Sequence, residues 1–471
     1  MNAYGSASEN PYEVLSSKSS KILSIEEIDK VIIDNINKAT EEDSDIWTRP
    51  DYNKREYIHS FFQYPARMIP AVQRKLIEII TTAKPDIQTM IDPFMGSATT
   101  LVTCMESGLK CYGQDINPLA VLIGKARTGP YFTTALKAKW NELELRIDAD
   151  ESDAIDVSFK GINKWFKEHI QIQLSKIVRG IRQESSLFAR RFFWVVLAET
   201  IRVSSNDRTS TYKLHIRKQE DIDKRNFSAI KVFALHMDKS IDDFESHATL
   251  LAEKNKVCKR AYISDIDIRL WDSKQSIFSP TGKEFYDLLV TSPPYGDNKT
   301  TVTYGQNSYL PLQWIDLSDI DSQATSELLK STSEIDTRSL GGVFKKDFDT
   351  GLNKLFEYSP TFKKTYEKIE AESSKSVKKV ATFFIDLNQT LDNVFRVMKP
   401  NSYQIWTVGN RNVAKIEVPN DEIIIELIES KGGKLLTQVK REIINKRMGK
   451  KNRDTALMNT EDILIFRKVG E

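Results

Sequence analysis

The sequence has few cysteines, and this scarcity limits both its chemistry and its compartment. Only three occur in 471 residues, Cys104, Cys111 and Cys258, and none forms a Cys-x-x-Cys pair or lies in a histidine pattern. Neither a disulfide framework nor a zinc site is indicated. We therefore expect a reducing, cytoplasmic environment and no metal site.

Long apolar runs, an export signal and a large net charge are also missing. No stretch approaches the roughly 18 consecutive apolar residues of a transmembrane helix, and the N-terminus lacks the basic and then apolar order of a signal peptide. We expect neither export nor membrane insertion. With 68 basic and 66 acidic residues the net charge is only +2. Any nucleic-acid surface must therefore come from local clustering of charge.

A short apolar run that ends in two prolines is the feature around which the chain is organised. Residues 287–295 read DLLVTSPPY, which predicts a buried strand because the run is too brief for a helix. Open α/β sheets bind ligands at the carboxyl ends of their strands, so Ser292-Pro293-Pro294-Tyr295 is a candidate site. The Ser292 hydroxyl and the Pro293 carbonyl are acceptors and Tyr295 is a flat face, a set that suits a ring with an exocyclic amino group. The alternative is a proline turn that only closes a strand.

A second stretch predicts half of a nucleotide-binding α/β sheet. The pattern gives a strand that ends at Asp92, a tight turn over 93–96, a helix from about Thr99, and a second strand that ends at Asp115 and Asn117. Strand, glycine turn, helix and a strand with a terminal acid are the parts of a mononucleotide-binding unit.

Each conspicuous residue of this unit has a physical role to play. Gly96 permits the turn, and amide groups near Thr99 can receive a carboxylate. Asp115 is placed to hold two ribose hydroxyls. The alternative for Asp115 is a cap for the helix that starts near Pro118.

Together the two stretches resemble the DNA amino-methyltransferases. Residues 92–99, DPFMGSAT, look like the S-adenosylmethionine-binding signature of that family, and TSPPY at 291–295 looks like its catalytic signature in the N4-cytosine form. Residues 59–70 are similar to the segment that lines the methionine end of the cofactor. One departure is Ala98, since the family often has a second glycine there and an extra methyl group could crowd a close backbone approach.

The resemblance implies a fold, a cofactor and a reaction. The fold is α/β, with the Rossmann-like seven-stranded sheet of S-adenosylmethionine-dependent methyltransferases and a helical insertion. The reaction is methyl transfer from S-adenosylmethionine to the exocyclic N4 of a cytosine flipped out of duplex DNA. The implied catalytic residues are Ser292, Pro293, Pro294 and Tyr295. The implied cofactor-binding residues are Phe62, Tyr64, Pro65, Asp92, Pro93, Phe94, Gly96, Thr99, Asp115, Asn117 and, at the end of an expected third strand, Asp265.

Several alternatives to this reaction remain open. Ser292 resembles the N4-cytosine enzymes, whereas N6-adenine enzymes mostly carry Asp or Asn at that position. A covalent carbon-5 mechanism needs a cysteine nucleophile, which in that family of enzymes follows a proline, and none of the three cysteines here follows one. RNA guanine-N2 methyltransferases also use Pro-Pro-Tyr, generally after Asp and with an RNA-binding N-terminal domain that we do not find here. A non-catalytic DNA-binding subunit is the last alternative, and the intact signatures speak against it.

Two basic stretches are candidates for contacts with DNA phosphates. One lies in the helical insertion and contains Arg208, Lys213 and Arg217. The other lies on a loop between the last two predicted strands and contains Lys446, Arg447, Lys450 and Lys451. Lysine and arginine among hydroxyl groups suit phosphate contacts, although a solvated loop is the alternative in both places.

We expect six segments along the chain. They are an N-terminal helical extension (1–50), the cofactor half of the core (51–128), a helical insertion with a possible role in target recognition (129–256), the core with the catalytic motif (257–300), a loop insertion over the active site (301–375) and the C-terminal core (376–471). The expected partner is double-stranded DNA, with a cognate restriction endonuclease as a further candidate. We expect a monomer or a weak dimer.

Overall fold

A mixed sheet with helices on both faces forms the centre of the protein. The structure is a computed structural model that describes residues 23–52, 56–344, 346–443 and 460–470. Its strands are β1 (Thr89–Asp92), β2 (Lys110–Asp115), β3 (Val257–Cys258), β4 (Ala261–Tyr262), β5 (Ile266–Leu270), β6 (Tyr286–Thr291), β7 (Met398–Val408), β8 (Arg411–Val413), β9 (Ile416–Val418), β10 (Gly433–Glu442) and β11 (Thr460–Lys468).

Helices make up most of the rest of the described chain. They are α1 (Ile25–Glu42), α2 (Pro70–Ala83), α3 (Thr99–Met105), α4 (Pro118–Arg127), α5 (Thr133–Asp148), α6 (Ile162–Trp165), α7 (Glu168–Arg182), α8 (Leu187–Ser204), α9 (Gln219–Asp223), α10 (Ala229–Glu253), α11 (Tyr304–Leu312), α12 (Leu317–Ile320), α13 (Glu334–Arg338), α14 (Phe348–Tyr358), α15 (Pro360–Glu372), α16 (Ser374–Val397) and α17 (Asn420–Glu429). Two short 3-10 turns lie at Tyr57–Ser60 and Ser326–Leu329.

The seven strands of the main sheet follow the order β10-β11-β7-β6-β1-β2-β5. All neighbours from β7 to β5 pair in parallel, and β11 pairs antiparallel with both β7 and β10. The predicted Rossmann-like, seven-stranded methyltransferase sheet is therefore confirmed, including the final strand pair.

The central strands are apolar throughout because helices cover both faces of the sheet. On β6, Leu288 and Val290 join a core that contains the helices of the insertion, whereas Leu289 on the opposite face packs with residues of α14 to α17. Several aromatic residues of the insertion, such as Trp194, are buried in this core. Residues 129–256 contain α5 to α10 and the short hairpin of β3 begins only after them.

The prediction of a strand that ends near Asp265 is wrong. β5 begins at Ile266 and pairs with β2 from Cys111 onward, so Asp265 lies at the amino end of the strand. Its side chain is 70% exposed and forms an ion pair with Lys110 at 3.3 Å. The apolar residues just before it form the β3–β4 hairpin instead, so the strand of the main sheet begins later in the chain than predicted.

The prediction of a loop insertion over 301–375 is also wrong, because α11 to α15 lie within these residues. Side chains that loops also favour bond to the first turns of two of these helices. Ser359 accepts from the Phe362 amide at 3.0 Å at the start of α15, and Asp336 accepts from the Gly305 amide at 2.8 Å at the start of α11. Burial of side chains such as Leu355 and Phe362 stabilises these short helices.

Candidate active site

A cleft opens where the carboxyl ends of four parallel strands meet. β1 and β6 are neighbours at the centre of the sheet, and the chain order runs outward from them in both directions, which is where open α/β sheets bind ligands. The cleft encloses about 870 Å³ of empty space, its open mouth included. Its walls contain residues 93–97 after β1, 115–117 after β2 and 271–273 after β5, together with Ser292 and Pro294 after β6.

The turn after β1 depends on Gly96. Its φ of +48° lies in the left-handed region, and an added Cβ would stand 3.3 Å from Cε1 of Tyr64 on the cleft wall. Ala98 is also left-handed, with φ of 61°. Its methyl group is buried toward α4, 3.4 Å from where a Cβ on Gly124 would stand, and Ala98 is not among the residues that line the cleft. The methyl group that replaces the family's second glycine therefore does not crowd this space.

The Asp115 carboxylate holds the turns that follow β1 and β2. One oxygen accepts from the Gly96 amide at 2.9 Å and the other from the Asn117 amide at 2.8 Å. Burial raises the pKa of Asp115 to about 6. The cap of α4 is Asn117, which accepts from the Leu119 amide at 3.1 Å, so Asp115 is not the cap itself. Asp115 is one of the residues that line the cleft.

An aromatic wall connects three distant segments beside Asp115. The Asn117 amide group donates to the Tyr64 hydroxyl at 3.0 Å and to Ser308 Oγ at 2.8 Å. The ring of Tyr64 stacks on Tyr304, with centroids 5.6 Å apart. Both tyrosines line the cleft, so residues 59–70 and α11 close it from one side.

Asp92 lies beneath the cleft and not on its wall. One oxygen accepts from the Phe94 amide at 3.0 Å and from Thr291 Oγ1 at 2.6 Å, and the other accepts from the Thr100 hydroxyl. The side chain has no exposed surface, and this burial raises its pKa to about 6. Asp92 therefore ties the end of β1 to the end of β6 and to α3.

Two other predicted cofactor residues, Phe62 and Pro65, are buried behind the cleft. The Phe62 carbonyl accepts from the buried Arg127 guanidinium at 3.3 Å, and the same guanidinium donates to the Ser97 carbonyl at 2.6 Å. Their segment thus supports the glycine turn through Arg127. The remaining predicted residues Tyr64, Pro93, Phe94, Gly96, Thr99, Asp115 and Asn117 all line the cleft.

The four residues of the predicted catalytic motif differ in exposure. Ser292 and Pro294 line the cleft, Pro293 is buried and Tyr295 is half-buried. The Tyr295 hydroxyl lies 3.3 Å from Ser292 Oγ and donates to Glu461 Oε1 at 3.0 Å. The Asn420 amide group donates to the Tyr295 carbonyl at 3.0 Å, which fixes the backbone of the motif.

Sequence reasoning missed the residues that follow β5. Trp271 and Asp272 line the cleft in the place expected for Asp265, and Trp271 is 39% exposed. Ser273 Oγ donates to the Pro93 carbonyl at 2.6 Å and so joins this wall to the turn after β1. The alternation in IDIRL, followed by Trp-Asp, was the signal that could have identified them.

The first basic stretch lies next to the cleft. Residues 206–217 run back on themselves through a bridge between Asp207 and Ile216, and the Leu214 amide donates to the Gln306 side chain at 3.2 Å on α11. Arg208 and Lys213 are exposed, and Arg217 is half-buried. The second stretch, Lys446, Arg447, Lys450 and Lys451, lies outside the described residues.

Across the described ranges, no group of three or more His, Cys, Asp and Glu side chains is arranged to hold a metal ion. In the same ranges, no helix has the length and apolar character needed to cross a membrane.

Comparison with known proteins defines the class to which this fold and cleft belong. Residues 5–125 match a family model described as DNA methylase. The chain is 32% identical over 452 residues to the Type II methyltransferase M.MvaI of Kocuria varians, which covers 94% of this chain and 96% of that relative. The protein therefore belongs to the Type II DNA methyltransferases of the N6/N4 amino class, and it is an enzyme.

Two further relatives agree with this membership. The Type II methyltransferase M.BsoBI of Geobacillus stearothermophilus is 20% identical over 420 residues, which is 81% of this chain and 80% of the relative. The Type II methyltransferase M.MjaII of Methanocaldococcus jannaschii is 35% identical over 85 residues, 18% of this chain and 15% of the relative.

Proposed function

We propose that this enzyme transfers a methyl group from S-adenosylmethionine to the exocyclic N4 of a cytosine that has been rotated out of duplex DNA. The observation that carries the proposal is the shared cleft. Ser292 and Pro294 of the catalytic motif line the same space as Asp115 and the Gly96 turn. A methyl donor and an amino acceptor held on these two sides would be brought together within one enclosed site.

The residues of the cofactor side fit S-adenosylmethionine. The Asp115 carboxylate can accept from two ribose hydroxyls, and Gly96 leaves room for a close approach of the ligand to the backbone. Trp271 offers an exposed ring and Asp272 an acidic group on the third wall, where the adenine would lie. When bound, the cofactor supplies a methyl group on a sulfonium, whose sulfur leaves readily without acid catalysis.

The catalytic side prepares the amino group for attack. A cytosine amine is a weak nucleophile because its lone pair is delocalised into the ring. Ser292 Oγ and the Pro293 carbonyl would accept hydrogen bonds from its two N–H groups and draw the nitrogen toward tetrahedral geometry, which frees the lone pair. After the methyl group has transferred, the nitrogen loses its surplus proton to solvent. Tyr295 would stack on the flipped base and hold the base against Ser292. The serine in the first position favours cytosine over adenine as the target.

The position of the basic stretch supports duplex DNA as the substrate. Arg208 and Lys213 are exposed on a segment that contacts α11, and Tyr304 of α11 lines the cleft. Phosphate contacts there would hold the duplex beside the site. Three free cysteines fit a reducing cytoplasm. We expect the enzyme to act as a monomer or weak dimer, with a cognate restriction endonuclease as a candidate partner in the cell.

The test is to identify the methylated nucleoside. The purified full-length chain is incubated with labelled S-adenosylmethionine and mixed duplex DNA, and the digested product is analysed by mass spectrometry. We expect N4-methylcytosine, with the rate reduced about a hundredfold or more in Ser292→Ala. Ser246→Ala on α10 is the matched control, because its hydroxyl only donates to the Asp242 carbonyl within the helix. N6-methyladenine as the sole product would refute the assignment of the base.

A further inference from the structure

A chain of hydrogen bonds runs from the cleft into the C-terminal hairpin. Ser292 Oγ lies 3.3 Å from the Tyr295 hydroxyl, which lies 3.0 Å from Glu461 Oε1 at the start of β11. The other oxygen of Glu461 forms an ion pair with Nε of Arg441 on β10 at 3.1 Å. The two charged side chains are mostly buried, with 17% and 8% of their surface exposed. The catalytic motif is therefore connected to residues some 166 positions away.

The chemistry of the groups fixes the direction of each bond. A carboxylate only accepts and a guanidinium only donates, whereas a hydroxyl has one hydrogen to give. Burial, and after it the nearby Glu461 carboxylate, raises the pKa of Tyr295, so the phenol keeps its hydrogen. That hydrogen is given to Glu461. The bond between Ser292 and Tyr295 must then use the hydrogen of Ser292.

The direction of this bond determines what Ser292 presents to the cleft. With its hydrogen directed to Tyr295, the Ser292 oxygen has only lone pairs left to present to a ligand. A serine whose hydroxyl can rotate freely would instead accept from an amino group or donate to a carbonyl oxygen with equal ease.

We propose that Glu461 is a positioning residue that turns the Ser292 hydroxyl away from the cleft, so that the site selects a ring bearing an amino group and rejects one bearing a carbonyl oxygen. The inference rests on the proposed function, since it assumes that Ser292 faces the target base. A site whose polar group is committed to one hydrogen-bonding partner rejects analogues that cannot supply it. Cytosine is thereby distinguished from uracil, and adenine in the same way from hypoxanthine.

Glu461→Gln tests this directly, because glutamine has nearly the shape of glutamate but should reverse the direction of the hydrogen bonds. Arg441 is positively charged and has no acceptor atom, so the amide oxygen of glutamine faces it and the amide NH2 group does not. The amide NH2 group then faces Tyr295 and donates to it. Tyr295 must give its own hydrogen to Ser292, and the hydrogen of Ser292 is displaced toward the cleft.

The experiment first identifies the methylated nucleoside and its sequence context. It then lets two duplexes compete for the enzyme, and the ratio of their affinities is the preference for the amino base. One carries the target base and the other its carbonyl analogue, uracil for cytosine or hypoxanthine for adenine. Glu461→Gln should lower the preference for the amino base about tenfold or more. Glu442→Gln, an exposed position on the same hairpin, should leave it unchanged. Because every variant is tested with the same two duplexes, the difference in base pairing between those duplexes affects all variants equally.

A second variant guards against misfolding of the first. Tyr295→Phe breaks the chain without inverting it, so the preference should fall by a smaller factor than in Glu461→Gln. A folded Glu461→Gln protein with the wild-type preference would overturn the proposal, as would a Tyr295→Phe protein that discriminates as well as the wild type. A purely structural role for Glu461 would lower thermal stability and leave the preference intact. An adenine product would refute only the proposed base, because the hypoxanthine comparison still tests Glu461.

Discussion

Replacing Gly96 with alanine should weaken cofactor binding more than it weakens the fold. The φ of +48° requires an L-residue to adopt the left-handed conformation, which costs about 1–2 kcal/mol. The new Cβ would also lie 3.3 Å from the Tyr64 ring. That ring cannot move away freely, because its hydroxyl accepts from Asn117 at 3.0 Å and its face stacks on Tyr304. The strain is therefore concentrated on the wall of the cleft.

A matched control separates the backbone cost from the effect on the site. Gly282 has a φ of +70° with nothing within 4 Å of an added Cβ. Gly282→Ala should therefore lose a similar ~1–2 kcal/mol of stability through the backbone alone. It should bind the cofactor as the wild type does, since it lies outside the cleft wall.

The assay combines urea unfolding with calorimetric titration of S-adenosylmethionine. Both variants should show a similar fall in the free energy of unfolding, while only Gly96→Ala should show a dissociation constant raised about tenfold or more, which corresponds to ~1.4 kcal/mol. Equal cofactor affinity in the two alanine variants would refute the reasoning that Gly96 forms the cofactor wall.

The remaining predictions concern pH and salt. The pKa of Asp115 is raised to about 6, so protonation of this carboxyl group stabilises the folded state. Its contribution to the free energy of unfolding is complete below about pH 4 and is lost as the pH rises through 6. Binding of the ribose hydroxyls depends on pH in the opposite direction, because the ionised carboxylate is the better acceptor. Cofactor affinity measured by titration should fall about tenfold from pH 7.5 to 5. In Asp115→Asn the affinity should be weaker and should not change with pH. Affinity that is independent of pH in the wild type would contradict this. Arg208→Gln and Lys213→Gln should each reduce the slope of log K for duplex DNA against log salt by about 0.9, whereas Lys38→Gln on α1 should not; an unchanged slope in both would exclude phosphate contacts there.

Local patterns predicted the central part of the fold well. The strands that end at Asp92, Asp115 and Thr291 are short apolar runs with punctuating residues directly after them, and those residues are the turns of the cleft. A parallel sheet buries such strands on both faces, so the apolar run and its end are both visible in the sequence.

The errors arose where one pattern has two structural solutions. The stretch before Ile266 reads as a single strand, but its first half pairs with itself as the β3–β4 hairpin. Serines such as Ser359 and Ser373 read as loop residues, but they cap α15 and α16. Helix caps and loops contain the same residue types, because in both a short polar side chain accepts a hydrogen bond from a backbone amide. Only the packing of the following helix decides between them.

The aspartates at strand ends illustrate why a correct motif does not define each residue's role. Asp92 and Asp115 both follow an apolar strand, and burial raises the pKa of each to about 6. Asp92 meets two threonine hydroxyls from β6 and α3, which leave its carboxylate no surface toward the cleft, whereas Asp115 meets two backbone amides and remains on the wall. The difference comes from Thr100 and Thr291, which no pattern near Asp92 links to it. Asp92 therefore ties β1 to β6 and α3, whereas Asp115 stays on the cleft wall, where we propose that it contacts the ligand.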